Sequence, residues 1–169
     1  MSIYRHVHIN YWQDAFILDL TPEEKYFYVY LLTNSKTKQC GIYELPMRII
    51  ETETGYNIET IDNLINRFEE YKKIVYDKST KEIYLKNWTK HNKITSFKVK
   101  KCVEKELSKV KSKDLIKLFL EETSKYGYEV DYNLENIQDK GENNFKDESI
   151  YSKPTDEQIE EVRKLLDAI

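Results

Sequence analysis

Polar and apolar positions in the first half of the chain predict an ordered series of short elements. Thr21-Pro22-Glu23-Glu24 is a capping box with proline at the first helical position, and it predicts a helix that ends near Asn34. The segment "GIYEL" has the composition of a short strand. Pro46 begins a second predicted helix, and Gly55 ends it because glycine readily adopts the left-handed conformation.

A third helix is predicted after Asn57, whose side chain can cap it. Its apolar positions recur with helical spacing and share one face, which should be buried: Ile61, Leu64, Ile65 and Phe68. The segments "KIVYD" and "EIYLKNW" flank the turn "KST" and predict a β-hairpin. This order of elements is that of a winged helix-turn-helix, with the hairpin as the wing. We therefore predict an α+β fold, mostly α, with a winged helix-turn-helix over residues 1–92.

The next segment is basic, and we predict a C-terminal helical extension over residues 93–128. Between Thr89 and Lys117 there are ten lysines and three acidic residues, a local net charge of +7. Val99, Val103 and Val110 mark the apolar side of one amphipathic helix. Ser112 is the predicted N-cap of a second helix that Gly127 terminates.

The charge then inverts, because residues 129–169 carry twelve acidic and five basic side chains, a net charge of −7. Residues 129–153 are poor in apolar side chains and are predicted to form an acidic, disordered linker. Residues 154–169 predict an amphipathic helix. Its candidate partner-binding residues, which can either dock into the groove of another protein or pack on their own domain, are Ile159, Val162, Leu165 and Leu166.

Composition narrows the classes of function. A chain of 169 residues with 40% hydrophobic content can bury one core of ordinary size, and a formal net charge of −3 gives no overall attraction to nucleic acid or to acidic membranes. We expect a cytoplasmic protein, since the sequence shows neither a bilayer-spanning apolar run nor a secretory signal. His6 and His8 lack further ligands nearby, and the carboxylate pairs do not converge, so we expect no metal, no cofactor and no catalysis.

The third helix is the candidate DNA-contacting element, although its outward side is acidic. Helical geometry directs Glu59, Asn63, Asn66 and Glu70 outward, with Thr60 and Arg67 on one flank. Asparagine can pair with adenine, but carboxylates repel phosphate, so cations must come from elsewhere. Candidates near the wing and the helix ends are Arg48, Lys72, Lys73, Lys78 and Lys81.

A second supply of cations is the lysine row, which we define as Lys98, Lys101, Lys105 and Lys109. Spacings of 3, 4 and 4 place these residues along one flank of a continuous helix. If all four neutralise phosphates, the logarithm of the DNA affinity falls against the logarithm of salt with a slope of about −4. The alternative is that the lysines form only the solvated face of an amphipathic helix.

Several segments together resemble the N-terminal winged-helix domain of DnaD-like replication proteins, in particular the replisome-organiser or replication-initiation proteins of phages and prophages in Gram-positive bacteria. The segments are "YWQDAFILDLTPEEKYFYVYLLTN", "TKQCGIYELP", "ETGYNIETIDNLINRFEEYKKIVYD" and "EIYLKNWTKHN". The likeness covers about Ile3 to Asn92 and continues weakly beyond it. A complete second helical domain with its DNA-binding tail motif is not evident, so activities tied to that domain do not carry over.

The resemblance implies a primosome protein of a bacterial host cell that binds origin DNA, double-stranded or also single-stranded. It further implies self-association and recruitment of the replicative helicase or its loader. Two alternatives stay open. One is a protein–protein adaptor, which the acidic outward side of the third helix favours, and the other is a transcriptional repressor of the same fold.

Overall fold

The computed structural model describes residues 5–128 together with residues 130 and 132, and all of them belong to one compact unit. The predicted linker and C-terminal helix, with Ile159, Val162, Leu165 and Leu166, lie outside the described residues except for positions 130 and 132. In chain order the elements are a 3₁₀ helix η1 (Ile9–Gln13), α1 (Ala15–Asp19), α2 (Pro22–Thr33), β1 (Ile42–Glu44), α3 (Met47–Thr54), α4 (Ile58–Glu70), β2 (Ile74–Asp77), β3 (Glu82–Leu85), α5 (Trp88–His91), α6 (Phe97–Leu107) and α7 (Lys113–Lys125).

The described part is therefore α+β and mostly helical, with a three-stranded antiparallel sheet in the order β1-β3-β2. Tyr84 of β3 lies between Ile42 of β1 and Val75 of β2, and Ile83 lies between Tyr43 and Tyr76. Residues directly opposite each other point to the same side of a sheet. The register therefore separates an inner face, which contains Tyr43, Ile83 and Tyr76, from an outer face.

The inner face and helices α2, α3 and α4 form most of the main hydrophobic core, which Ile17 of α1 and Trp88 of α5 complete. The four apolar residues predicted on the third helix are all buried there, and they lie on α4: Ile61, Leu64, Ile65 and Phe68. Phe27 and Leu31 of α2 and Ile50 of α3 join the same cluster. The inner face thus holds α4 in place against the hairpin of β2 and β3.

The outer face of the sheet is also covered, by the segment that follows α5. Tyr84 contacts the ring of Phe119 on α7, with ring centroids 6.3 Å apart. Glu106 of α6 accepts a hydrogen bond from the backbone amide of Cys40, just before β1, at 2.8 Å. As a result, every residue of β3 is buried, and α4 and α7 lie on opposite sides of the sheet.

Most local predictions of the first half are confirmed. The capping box of Thr21 and Glu24 is formed, Asn57 caps α4, and Gly55 ends α3 with a φ of 78°. The short helices η1, α1 and α5 were not predicted, and β3 ends at Leu85, so Trp88 of the predicted strand segment "EIYLKNW" instead begins α5. Among the residues described, no helix combines the length and the apolar character needed to cross a bilayer.

The prediction for the basic extension was wrong in one respect. Helix α6 ends at Leu107, with Ser108 as its C-cap, so Val110 and Lys109 lie beyond it. The chain turns there because backbone groups of the next segment bind the sheet: Lys111 and Ser112 donate their amides to Glu82. Ser112 then caps α7, as predicted, and Gly127 follows its end with a φ of 73°.

Candidate nucleic-acid interface

The outward side of α4 carries the predicted residues in the predicted orientation. Asn63, Asn66, Glu59 and Glu70 are exposed, and Thr60 is half-buried. Nδ2 of Asn66 donates to Asp62 at 3.3 Å, so one of the two outward amides already has an intrahelical partner. Amide groups are therefore presented to the solvent on a helix that also presents carboxylates.

The cations nearest to this side of α4 are engaged by carboxylates. Nζ of Lys78, near the hairpin turn, lies 2.9 Å from Asp62, and this ammonium group holds the pKa of the Asp62 carboxyl below its usual range. Arg67 contacts Glu24 of α2 at 3.3 Å. The ion pair between Lys78 and Asp62 thus links the hairpin to α4. Because both nearby cations are paired, they add little uncompensated positive charge next to α4.

Glu24 explains why Arg67 faces α2. The Glu24 side chain is almost fully buried, and burial alone raises the pKa of a carboxyl. Hydrogen bonds from the Thr21 amide and hydroxyl, the Tyr71 hydroxyl and Arg67 outweigh this effect, so the pKa of Glu24 is lowered. Arg67 is thereby tied to the scaffold, although about half of its side chain is exposed.

The remaining predicted cations of this group lie at element ends. Arg48 on α3 is exposed and lies 3.7 Å from Glu51. Lys72 and Lys81 are exposed and occupy left-handed turn positions, with φ of 55° and 58°. Lys73 turns away from this group, because its Nζ lies 3.9 Å from the ring centroid of Phe16. Lys81 at the hairpin and Lys72 after α4 are therefore exposed cations near the hairpin.

All four members of the lysine row are exposed, but they are not equivalent. Lys98, Lys101 and Lys105 lie on α6, whereas Lys109 lies in the turn beyond it. Lys101 is paired with Glu104 at 2.8 Å. Within the described part of the chain, Lys98, Lys105 and Lys109 form no ion pair. Three of the four ammonium groups are therefore available to an external anion.

The structure does not bring the lysine row beside α4. Helix α4 packs on the inner face of the sheet, and the turn that contains Lys109 leads to contacts on the outer face. Lys111, two residues beyond Lys109, donates its backbone amide to Glu82, which is the neighbour of Lys81 in the hairpin. The chain just beyond Lys109 is therefore attached to β3 of the hairpin. The prediction that all four lysines lie along one flank of a continuous helix was wrong, because Lys109 lies beyond the end of α6.

Three carboxylates on the outer face position this turn. Glu44, Glu82 and Asp77 occupy one register row across the three strands. Glu82 accepts from the amides of Lys111 and Ser112 at the start of α7, where a carboxylate also interacts favourably with the helix dipole. Hydrogen bonds from Ser112 and Ser79 lower the pKa of Asp77 to about 2. These contacts fix where α6 ends and α7 begins.

A cleft of about 860 Å³ gathers basic residues that the sequence pattern did not single out. It lies between the N-terminal segment, residues 5–14, and the end of β3 with α5. Arg5, Lys86 and Lys90 line it together with Lys73. These residues come from separated parts of the chain and show no shared periodicity, so the only sequence signal was the local run "LKNWTKHNK".

The described residues contain no group of three or more histidine, cysteine or carboxylate side chains placed to hold a metal ion. Comparisons of the chain with protein-family models, with curated proteins and with solved structures found no match.

Proposed function

We propose that this chain is a winged-helix DNA-binding protein of replication initiation, acting in the bacterial cytoplasm. In this proposal the lysine row and the hairpin, as the wing, bind the phosphates of origin DNA, and the protein brings a replicative helicase or its loader to that DNA. Self-association and the helicase contact follow from the resemblance to DnaD-like proteins. The protein acts by binding and not by catalysis.

The observation that carries the proposal is the set of unpaired, exposed ammonium groups at Lys98, Lys105 and Lys109. Lysines on an ordinary solvated helix often pair with carboxylates three or four positions away, as Lys101 does with Glu104. Phosphate binding requires cations that are free to release counterions into solution. The Lys111 amide also binds Glu82, the neighbour of Lys81 in the hairpin, which supports a single duplex contacting both Lys109 and the hairpin.

The test is duplex binding as a function of salt, measured by electrophoretic shift with the DNA that flanks the protein's own gene. Replacing Lys98, Lys105 and Lys109 together by glutamine is expected to reduce the steepness of the log–log salt dependence by about 2.7, which is three contacts at about 0.9 each. The matched control replaces three exposed lysines outside the row, Lys36, Lys117 and Lys125, and so changes the net charge equally. Equal losses in the two variants would reject the row as the phosphate site.

Base contacts are tested separately with Asn63→Ala and Asn66→Ala. If α4 contacts bases, each change lowers affinity in a sequence-dependent way and leaves the salt dependence unchanged.

A second candidate function is a protein–protein adaptor, and the charge on α4 favours it. The outward side of this helix combines Glu59, Asp62 and Glu70 with two asparagines, and Lys78 and Arg67 are engaged by carboxylates. Such a surface suits a basic protein partner. Failure of the parent protein to bind duplex DNA at low salt, with retention of a basic partner by α4, would favour the adaptor.

A further inference from the structure

The cleft beside the N-terminal segment has a strongly positive lining. Its charged side chains are Arg5, Lys73, Lys86 and Lys90 against Asp14 alone, four minus one, a net charge of +3 without counting histidines. The Asp14 carboxylate is already used, since it accepts from the amide of Phe16 at 3.0 Å and caps α1. The lining therefore attracts anions.

The three lysines of the cleft have no carboxylate partner among the described residues. The backbone amide of Lys86 donates to the carbonyl of Lys73 at 2.9 Å, so these two residues are direct neighbours. Lys90 follows on α5, whose first residue, Trp88, is buried and fixed by a hydrogen bond from its indole Nε1 to Gln39. The cations are therefore held by ordered backbone, which reduces the entropy lost when they bind an anion.

The lining of the cleft also contains aromatic side chains that connect to the core. Tyr11 stacks on Tyr28 with ring centroids 6.2 Å apart, and Tyr28 stacks on Phe68 of α4 at 5.2 Å. Tyr11 is only half-buried. An aromatic side chain in the same cleft as a group of cations is the combination that binds unpaired nucleotides, because bases stack on aromatic rings while phosphates contact lysines.

We propose that this cleft binds a phosphorylated nucleoside unit, either within a single strand of nucleic acid or as a free nucleotide. Its volume lies within the range of about 300–1,000 Å³ that is typical of small-molecule sites. A concave site admits an unpaired strand, whereas duplex DNA presents a convex surface and keeps its bases stacked inside. The proposal goes beyond the duplex interface above, which consists of the lysine row and the hairpin and includes none of these cleft residues.

The experiment measures fluorescence anisotropy of a labelled short oligothymidylate with the full-length protein at several salt concentrations. Replacing Lys86 and Lys90 together by glutamine is expected to reduce the salt slope by about 1.4, which is two contacts at about 0.7 each on a single strand. The matched control, Lys117→Gln with Lys125→Gln, removes two exposed lysines of α7 and is expected to bind like the parent.

The aromatic lining is tested with a conservative pair of variants. Tyr11→Leu is expected to weaken binding roughly 5- to 150-fold, the range of one lost stacking contact, while Tyr11→Phe retains the ring and binds like the parent. Circular dichroism melting identifies any variant that fails to fold, and the lysine pair keeps the test valid if Tyr11→Leu is such a variant.

Thymidine monophosphate as a competitor distinguishes the two sources of the ligand. Competition assigns the site to a free nucleotide as well as a strand, and its absence with tight oligothymidylate binding assigns the site to a strand. Binding that survives the Lys86 and Lys90 changes, or no binding of either probe, would overturn the proposal. The mononucleotide is too small to reach α6, so the cleft and the lysine row can fail independently.

Discussion

At Gly41, adding a single methyl group should cause a large loss in the free energy of unfolding. The residue has a φ of 74°, and a Cβ built there would lie 2.6, 2.7 and 2.9 Å from Cγ, Cδ1 and Cβ of Trp88. Trp88 cannot easily move away, because it is only 7% exposed and its indole donates to Gln39 at 3.0 Å. Gly41→Ala therefore combines backbone strain with a steric overlap.

Gly55 supplies a matched control. Its φ of 78° is nearly the same, but nothing lies within 4 Å of an added Cβ. The left-handed conformation costs an alanine about 1–2 kcal/mol, and the stiffer unfolded chain returns about 0.4–1 kcal/mol, so Gly55→Ala should lose about 1 kcal/mol. At Gly41, the steric overlap with Trp88 adds about 1–3 kcal/mol. Strain in the hydrogen bond from the Trp88 indole to Gln39 adds about 1 kcal/mol. Gly41→Ala should therefore lose about 3–5 kcal/mol.

The assay is urea denaturation of both variants, followed by tryptophan fluorescence, for which Trp88 is the buried reporter and Trp12 the exposed one. The double variant Gly41→Ala with Trp88→Leu lacks the buried reporter, so its unfolding is followed by circular dichroism. Its two losses should be less than additive, because the overlap is removed with the indole. Losses at Gly41 and Gly55 that agree within about 0.5 kcal/mol would refute the reasoning, since strain alone would then explain both.

Two further predictions concern charge. Asp77 has its pKa lowered from 3.8 to about 2, so it contributes stability above its unfolded pKa that is lost as the pH falls through 2. The shift corresponds to at most about 2 kcal/mol, and exposure of the carboxylate to solvent reduces this to about 1 kcal/mol. Asp77→Asn should therefore be less stable than the parent at pH 7 and show a flatter loss of stability between pH 4 and 2 in acid titrations monitored by circular dichroism; parallel curves would contradict this. Deleting residues 129–169, which carry a net charge of −7, changes the net charge of the chain from −3 to +4. The deletion should tighten non-specific DNA binding several-fold at low salt but not at high salt, where charges are screened. An unchanged electrophoretic shift at low salt would exclude competition between this segment and DNA.

Local chemistry made much of the fold predictable. The capping box at Thr21, the cap at Asn57 and the left-handed glycine at position 55 each depend on residues within one turn of each other. The buried side of α4 followed from spacing alone. The helices η1 and α1 have only five residues each, too few for a periodic pattern to stand out.

Contacts between distant residues were not predictable in the same way. A glutamate at the start of a strand is normally exposed to solvent, yet Glu82 is only 3% exposed because amides about 30 residues later in the chain bind it. The same contacts end α6 before Lys109. The cleft joins the N-terminal segment to residues near position 90, and no pattern within either segment indicates the other.

Both faces of β3 are covered by other elements, and this limits where the chain can be truncated. Sequence order places a natural cut near Asn92, but a chain shortened there would expose Ile42 and Tyr84 to water and leave Glu82 without its amide donors. Such a fragment would expose a hydrophobic surface patch and should aggregate. Any transfer of this domain to another protein should therefore include α6 and α7 together with the hairpin.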